Sequence, residues 1–531
     1  MRTPRDTSGA ERLSFRPELS QCPECGAPLH RRNISWRKTI QRMDGLFFVV
    51  SWAYCCTNAS CLLSETRFRS VKAEMLSLKW RIFGMDVIVE IGFRRVLRHE
   101  TVAEIHKALR ATGMAISERE VYELLEVFYA LIELRQPVDD AYLAEVKRNG
   151  GIVLAIDGVK PEWSNETLYI LMDAMTGRVL YTAKLCSSAT DDLTPLLEKV
   201  KAMGLPVLAI VSDHQQSIRL AVAKVFPGVP HQLCHFHVLR NASQKVVDLD
   251  RNLKKCLKSK VRGMRKVERS ISLRRTSDKI EDGRLHLVTE ACEILRAMLK
   301  HDVAYPLKPG GLLFFDMLKE FEATLQRCLE QAPDTELARL QSIAGRWRAF
   351  EAEAERVRML YGFVWRLAHI LNSEYPSYQA RMQLGRCLAD TEKAMIETSD
   401  DIVRECLNEY VKTIRSHWWG LFHCYDDERI PRTNNGLEGL IGSKKQAFRR
   451  TTGRRHWGRY VLRFGRGIFM GHGLEDVEEF QRVLEGMDPT SSEFVRQRLS
   501  HNRAQGRRLA RIRGSFRETM ESFEEAWAAV C

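Results

Sequence analysis

Three acids stand where the local pattern would place rigid oxygen ligands: Asp157, Asp213 and Glu438. Asp157 closes the apolar run IVLAI and Asp213 closes LPVLAIVS, and runs of this length between turn residues are buried strands. A carboxylate at a strand mouth is held by a stiff scaffold, although Asp is also an ordinary turn residue after a strand. Glu438 lies in TNNGLEGLIGSKKQAFRRTTGRR, on a helix that Asn434 and Asn435 are able to cap. At 100° per residue, Lys445 and Arg449 fall within about 20° of Glu438 on that helix. The acid thus leads into a basic row that continues to Arg450, Arg454 and Arg455. A solvated, ion-paired helix is the plainer alternative. Three carboxylates suit hard divalent ions, Mg²⁺ or Mn²⁺. Two such ions, roughly 3.5–4 Å apart, promote in-line displacement at phosphorus, first by water and then by a freed 3′-hydroxyl.

The elements that must position these acids follow from the pattern. A polar leader at 1–20 is expected to be disordered, and a cysteine-bearing module occupies 21–70. Residues 71–148 read as helical, with a turn at Gly113 and an S-x-x-E capping box at Ser117–Glu120. That helix pair is a candidate for base readout in a major groove. From 149 to 240 the order is strand, strand, strand, helix, strand, helix. The stretch 241–430 shows only helical spacing, 431–475 carries Glu438, and 476–531 is a basic helical tail.

Cys22-Pro-Glu-Cys25-Gly is a metal knuckle, and YCCTNASC supplies a second pair some thirty residues on. Cys22, Cys25, Cys56 and Cys61 form a tetrahedral Zn²⁺ set of structural type; Cys55 rivals Cys56. A second cluster, PHQLCHFHVLRN, holds Cys234 and His237, which read most simply as a buried thiol and a hydrogen-bonded histidine. Trp347, Trp365, Trp418, Trp419 and Trp457 read mainly as core, with Trp418-Trp419 the pair placed nearest the glutamate motif.

The chain has 531 residues and a net charge of +14, which favours a polyanionic partner. Residues 240–275 carry thirteen Lys and Arg against three Asp and Glu. No apolar run reaches the length of a membrane span and the start lacks a secretory signal, so no membrane association is expected. The cysteines are then expected to be reduced.

Taken in order, IDGVK, VSDHQQSIRLAVAKVFPGVPHQLCHFHVLRN and TNNGLEGLIGSKKQAFRRTTGR resemble the motifs of bacterial insertion-sequence DDE transposases, in the style of the Mutator-like group. The resemblance covers about 150–470. It implies an α/β fold: a ribonuclease-H-like core interrupted by a large all-helical insertion, with an N-terminal zinc ribbon and a helical DNA-binding region. It implies Asp157, Asp213 and Glu438 as catalytic Mg²⁺ ligands, 225 positions separating the last two. It further implies that Cys234 and His237 support the site, and that Lys445, Arg449, Arg450, Arg454 and Arg455 meet DNA. The expected activity is cleavage at element ends and strand transfer into target DNA. Double-stranded DNA would be the partner, a homodimer or higher oligomer the working form, and the nucleoid of a bacterial cytoplasm the location. A DNA-binding descendant without catalysis, and a nuclease on the same core, are the alternatives.

Overall fold

A computed structural model describes residues 9–162, 165–273, 279–301, 303–485 and 491–529. The chain divides into two units. One runs up to Leu208 and includes Leu220–Val225 and everything from Asn435 onward; the other comprises Ala209–Arg219 and Phe226–Asn434.

The first unit opens with strands β1 (Glu11–Phe15), β2 (Leu29–Gln41) and β3 (Leu46–Cys56), in the order β1-β3-β2. β2 and β3 form an antiparallel hairpin around Ile40, Phe47 and Val49, and β1 adds parallel to β3. The expected disorder at 1–20 is therefore corrected for its described part. Glu11–Phe15 is a strand, and Glu18 accepts hydrogen bonds from Ser70 Oγ (2.7 Å) and from the N–H groups of Val71 and Lys72. The edge of β3 needs backbone partners, a tertiary demand that a polar pentapeptide does not advertise.

Both helices of the expected pair form, Val102–Ala111 and Glu118–Ile132, with Gly113 at φ +85° between them. Each begins with a full capping box, Thr101 with Glu104 and Ser117 with Glu120. Most of the second helix is packed inside the unit. Every residue from Leu124 to Ile132 is buried, so only its start, with Glu118, Arg119 and Tyr122, reaches solvent. A helix that is buried all round belongs to a core. Gly467 belongs to the same packing: a Cβ there would lie 2.4 Å from the Tyr129 carbonyl oxygen.

Strands β4 (Ile152–Val159), β5 (Thr167–Asp173) and β6 (Val179–Leu185) make an antiparallel meander. After the helix Thr190–Lys201 comes β7 (Val207–Ser212), then the helix Gln216–Val225 and the short strand β8 (His231–Leu233). The sheet order is β6-β5-β4-β7-β8. Ile152 N–H donates to the Pro206 carbonyl (2.8 Å) where β4 and β7 begin, and β7 pairs parallel with β8. The expected succession of strands and helices is present, with β8 as an addition.

In the second unit the chain from 244 to 417 is a succession of helices among the described residues, beginning with Gln244–Lys260 and ending with Asp401–His417. They share one apolar core. The buried Asp250 is satisfied within it, accepting from the N–H groups of Gly311 and Leu312 (2.8 Å each) and from Tyr305 Oη (2.7 Å). Those two N–H groups open the helix Gly310–Gln331, where a negative charge is favoured.

Candidate functional site

Strand alternation decides where Asp157 points. Ala155, Asp157 and Val159 share one face of β4. Opposite them on β5 stand Met172, Ile170 and Leu168. Ala155, Val159 and those three β5 residues form one core cluster with Leu437, Leu440 and Phe448 of the helix Asn435–Thr452. The helix bearing Glu438 therefore lies on the sheet face to which Asp157 belongs. With the row Leu437, Leu440 and Phe448 turned inward, Glu438, Lys445 and Arg449 occupy a flank about 100° round the helix. Asp157 and Glu438 are both half-buried. Asp157 Oδ1 accepts from the N–H of Gly158 (2.7 Å).

The helix ends at Gly453, whose φ of +66° and N–H bond to the Arg449 carbonyl (2.8 Å) form a left-handed stop. Arg449, Arg450, Arg454 and Arg455 are exposed and Lys445 is half-buried. Lys444 differs from them: burial pushes its ammonium down to about 8.

In the second unit Asp213 follows β7 and is half-buried, with Oδ1 accepting from Gln215 N–H (3.0 Å). Cys234 is fully buried at the N-terminus of the helix His235–Ala242. Its sulfur accepts from the N–H of Asn434 (3.4 Å), so the C-x-x-H element holds the residue just before the Glu438 helix. His235 spans two carbonyls, with Nδ1 3.1 Å from Leu371 O and Nε2 2.8 Å from Leu421 O.

Further polar residues lie near Asp213, among them His231, which flanks Cys234 and His237 in PHQLCHFHVLRN. His231 Nε2 meets Ser212 Oγ at 2.8 Å, and burial, with His423 and Arg219 nearby, pushes that imidazole down to about 4. His214 packs edge-on to His417 (5.1 Å) and lies 3.0 Å from Asn241 Nδ2, in a cleft of about 330 Å³ with Gln244, Lys412 and Thr413. The only hint in the sequence was that His214 follows Asp213. Of the tryptophans, Trp347 and Trp457 are buried and Trp365 is exposed. Trp418 packs on Phe422, whereas Trp419 is 38% exposed beneath the Arg219 guanidinium (5.3 Å).

The four cysteines of the N-terminal module come together. Cys22 and Cys61 sulfurs are 3.7 Å apart, Cys25 and Cys56 sulfurs 3.4 Å, and all four lie within 4.8 Å of one another. A tetrahedron with metal–sulfur bonds of about 2.3 Å has edges of about 3.8 Å, which the cluster approaches. Gly26 (φ +68°) turns the first knuckle, its N–H bonding the Cys22 carbonyl. Asn58 and Leu63 N–H groups donate to Cys56 and Cys61 sulfur (3.4 Å each). Cys55, next to Cys56 in β3, faces the other side of the strand and is not part of the cluster. The described cysteines are all free of disulfides, and no helix among the described residues is long and apolar enough to cross a membrane.

Residues 182–241 match the MULE transposase domain. That segment contains Asp213, Cys234 and His237, with Asp157 and Glu438 outside it. The match supports a transposase. The chain also has a structural likeness to a solved Drosophila P element transposase strand transfer complex, with a TM-score of 0.33 and 13% identity over 73% of this chain and 92% of that one. A likeness this slight bears on neither the fold nor the site. No curated protein matches the chain.

Proposed function

We propose that this protein is a DDE-type DNA transposase of the bacterial insertion-sequence kind, built on a ribonuclease-H-like core with the helical stretch 241–430 as its insertion. The carrying observation is the transposase-domain match on the segment that holds Asp213, Cys234 and His237. The placement of Asp157 and the Glu438 helix on one sheet face supports it.

Asp157, Asp213 and Glu438 would hold Mg²⁺ or Mn²⁺. The fit rests on donor chemistry: three half-buried carboxylates, one within β4, one just after β7 and one on a packed helix, offer hard oxygens and leave room for water ligands. Such ions supply activation of the attacking oxygen and stabilisation of the leaving one. The chain's own part is positioning. β4 and the inward row of the Glu438 helix fix two carboxylates, and Cys234 anchors the loop entering that helix through Asn434. Lys445, Arg449, Arg450, Arg454 and Arg455 neutralise phosphates along the strand being cut. Cys22, Cys25, Cys56 and Cys61 would hold Zn²⁺ and rigidify the N-terminal sheet, a ribbon suited to contacting element ends. Pairing two ends requires a dimer or higher oligomer on double-stranded DNA, and the setting is the nucleoid of a bacterial cytoplasm.

The test is strand transfer with Mg²⁺ or Mn²⁺ on a duplex bearing an element end. Joined products are expected, with at least a thousandfold loss in Asp157→Ala and Glu438→Ala. Nicks without joined products would indicate a nuclease, and salt-sensitive binding without cleavage a DNA-binding descendant. Full activity in either variant would remove the triad.

A further inference from the structure

An open groove of about 600 Å³ on the second unit is lined by Arg251, Lys254, Lys255, Lys258, Arg262 and Tyr305, with Ser259 and Val303 and, among the described residues, no carboxylate. The first four lie on the helix Gln244–Lys260. Taking Arg251 as the origin, Lys255 sits at about +40°, Lys258 at −20° and Lys254 at −60°, a sector of roughly 100°. Val246, Leu253 and Leu257 are buried on the opposite side, and from Arg251 onward the sector faces out, with Arg251 and Lys255 exposed and Lys254 and Lys258 half-buried; Val247, one turn earlier in the same sector, is buried. Arg262 follows just past the helix end. Of the nearby described acids, Asp248 pairs with Arg251 at one end of the row (3.3 Å), and Asp250 caps the helix Gly310–Gln331 from inside the core. Lys254 Nζ bonds the His301 carbonyl (2.7 Å) and helps to build the wall. Tyr305, tethered to Asp250, forms the other wall with the Arg251 guanidinium 4.8 Å from its ring centre. Among the described residues Lys255, Lys258 and Arg262 have no carboxylate within ion-pair distance.

Eleven residues separate Arg251 from Arg262, about 16 Å at the helical rise. Each strand of duplex DNA presents a phosphate about every 3.4 Å along the axis. A row of that length matches several successive phosphates, whereas a single small anion would engage one or two cations and leave the others facing one another. We propose that this groove is a second, sequence-independent track for the phosphate backbone of double-stranded DNA, lying within the helical insertion and separate from the Arg449–Arg455 segment. It rests on the DNA partner of the proposed function but not on its chemistry.

The experiment measures binding of the full chain to an arbitrary 30-base-pair duplex by fluorescence anisotropy, without divalent metal, across a series of NaCl concentrations. Each lost phosphate contact lowers the slope of log affinity against log salt by about 0.9. Lys255→Gln/Lys258→Gln/Arg262→Gln is therefore expected to reduce the slope by about 2 to 3 and to weaken binding tenfold or more near 0.1 M salt. A triple variant with unchanged thermal unfolding and a wild-type slope would overturn the groove, leaving the carboxylate reading untouched. Should the triple variant unfold early, Lys258→Gln alone, with an expected drop of about 1, decides on the same criterion. A wild-type chain showing no salt-sensitive binding would instead refute the DNA partner itself.

Discussion

Exchanging single cysteines in β3 tests the N-terminal metal site more sharply than chelation, because two adjacent residues should behave oppositely. Cys56 sulfur lies 3.4 Å from that of Cys25, inside a set whose four sulfurs are within 4.8 Å of one another. Cys55 is equally buried, 3% exposed against 5%, but projects from the other face of the strand. Burial is thus matched and only the orientation differs. Structural Zn²⁺ sites in small modules are worth about 10–16 kcal/mol at neutral pH. Losing one of four thiolates removes about a quarter of that, on the order of 3 kcal/mol, or about two decades in affinity. Serine keeps the size and removes the soft ligand. Cys56→Ser should therefore weaken Zn²⁺ about a hundredfold or more in competition with a chromophoric chelator. Cys55→Ser should retain wild-type affinity and one ion per chain. Equal loss in both variants would refute the alternation argument, and a wild-type chain that takes up no Zn²⁺ would refute the site.

Stability should also depend on pH through His231. Its folded value of about 4 lies below the ordinary 6.5, so the neutral His231 imposes no penalty above pH 6.5. The protein loses up to about 3 kcal/mol as the unfolded chain takes up a proton between pH 6.5 and 4. Urea titrations across that window should show a shallower loss in His231→Gln, and identical profiles would count against the assignment. Two glycines should respond with opposite signs: Gly467→Ala costs about 1–3 kcal/mol by driving a methyl onto the Tyr129 carbonyl. Gly439→Ala, with nothing within 4 Å, gains up to about 1 kcal/mol of helix propensity; thermal unfolding that moves both the same way would contradict the packing. Arg449→Gln/Arg450→Gln should weaken binding to unrelated duplexes equally and lower the salt slope by about 2, whereas a loss confined to one sequence would mean base readout.

The parts of this molecule that could be read from its sequence are those whose structure is set by neighbours in the chain. IVLAI and VLAIVS are strands because runs of mostly apolar residues need burial on both faces; β4 runs on through Asp157 to Val159, whereas Asp213 follows β7, and both acids inherit a fixed position. Ser117 and Glu120 cap a helix by contacts within three residues. Parts fixed by distant partners were not legible. β1 is five mostly exposed residues that become a strand because β3 has an open edge. β8 is three residues, HQL, drawn into the sheet by β7. The same limit left Cys55 and Cys56 equivalent until the hairpin register fixed which sulfur faced Cys25.

The expected groove-reading helix shows a further limit. Its caps, length and spacing were right, yet amphipathic periodicity reports only that one face is buried, not how far burial extends round the other. Here Val127, Ala130 and Leu131 complete a belt, and Glu126 is drawn inside by an ion pair with Arg463. Glu133, one residue past the helix, likewise takes a forked bond from Arg498 (3.0 and 3.1 Å). That pair also removes one arginine from the basic tail as a phosphate ligand, since a guanidinium committed to a buried carboxylate is not available to DNA. The net charge of +14 therefore overstates the tail's share of any DNA surface. The cations best placed to supply it are the exposed Arg449 and Arg450 at the far end of the Glu438 helix and, without a carboxylate at ion-pair distance among the described residues, the row Lys255, Lys258 and Arg262.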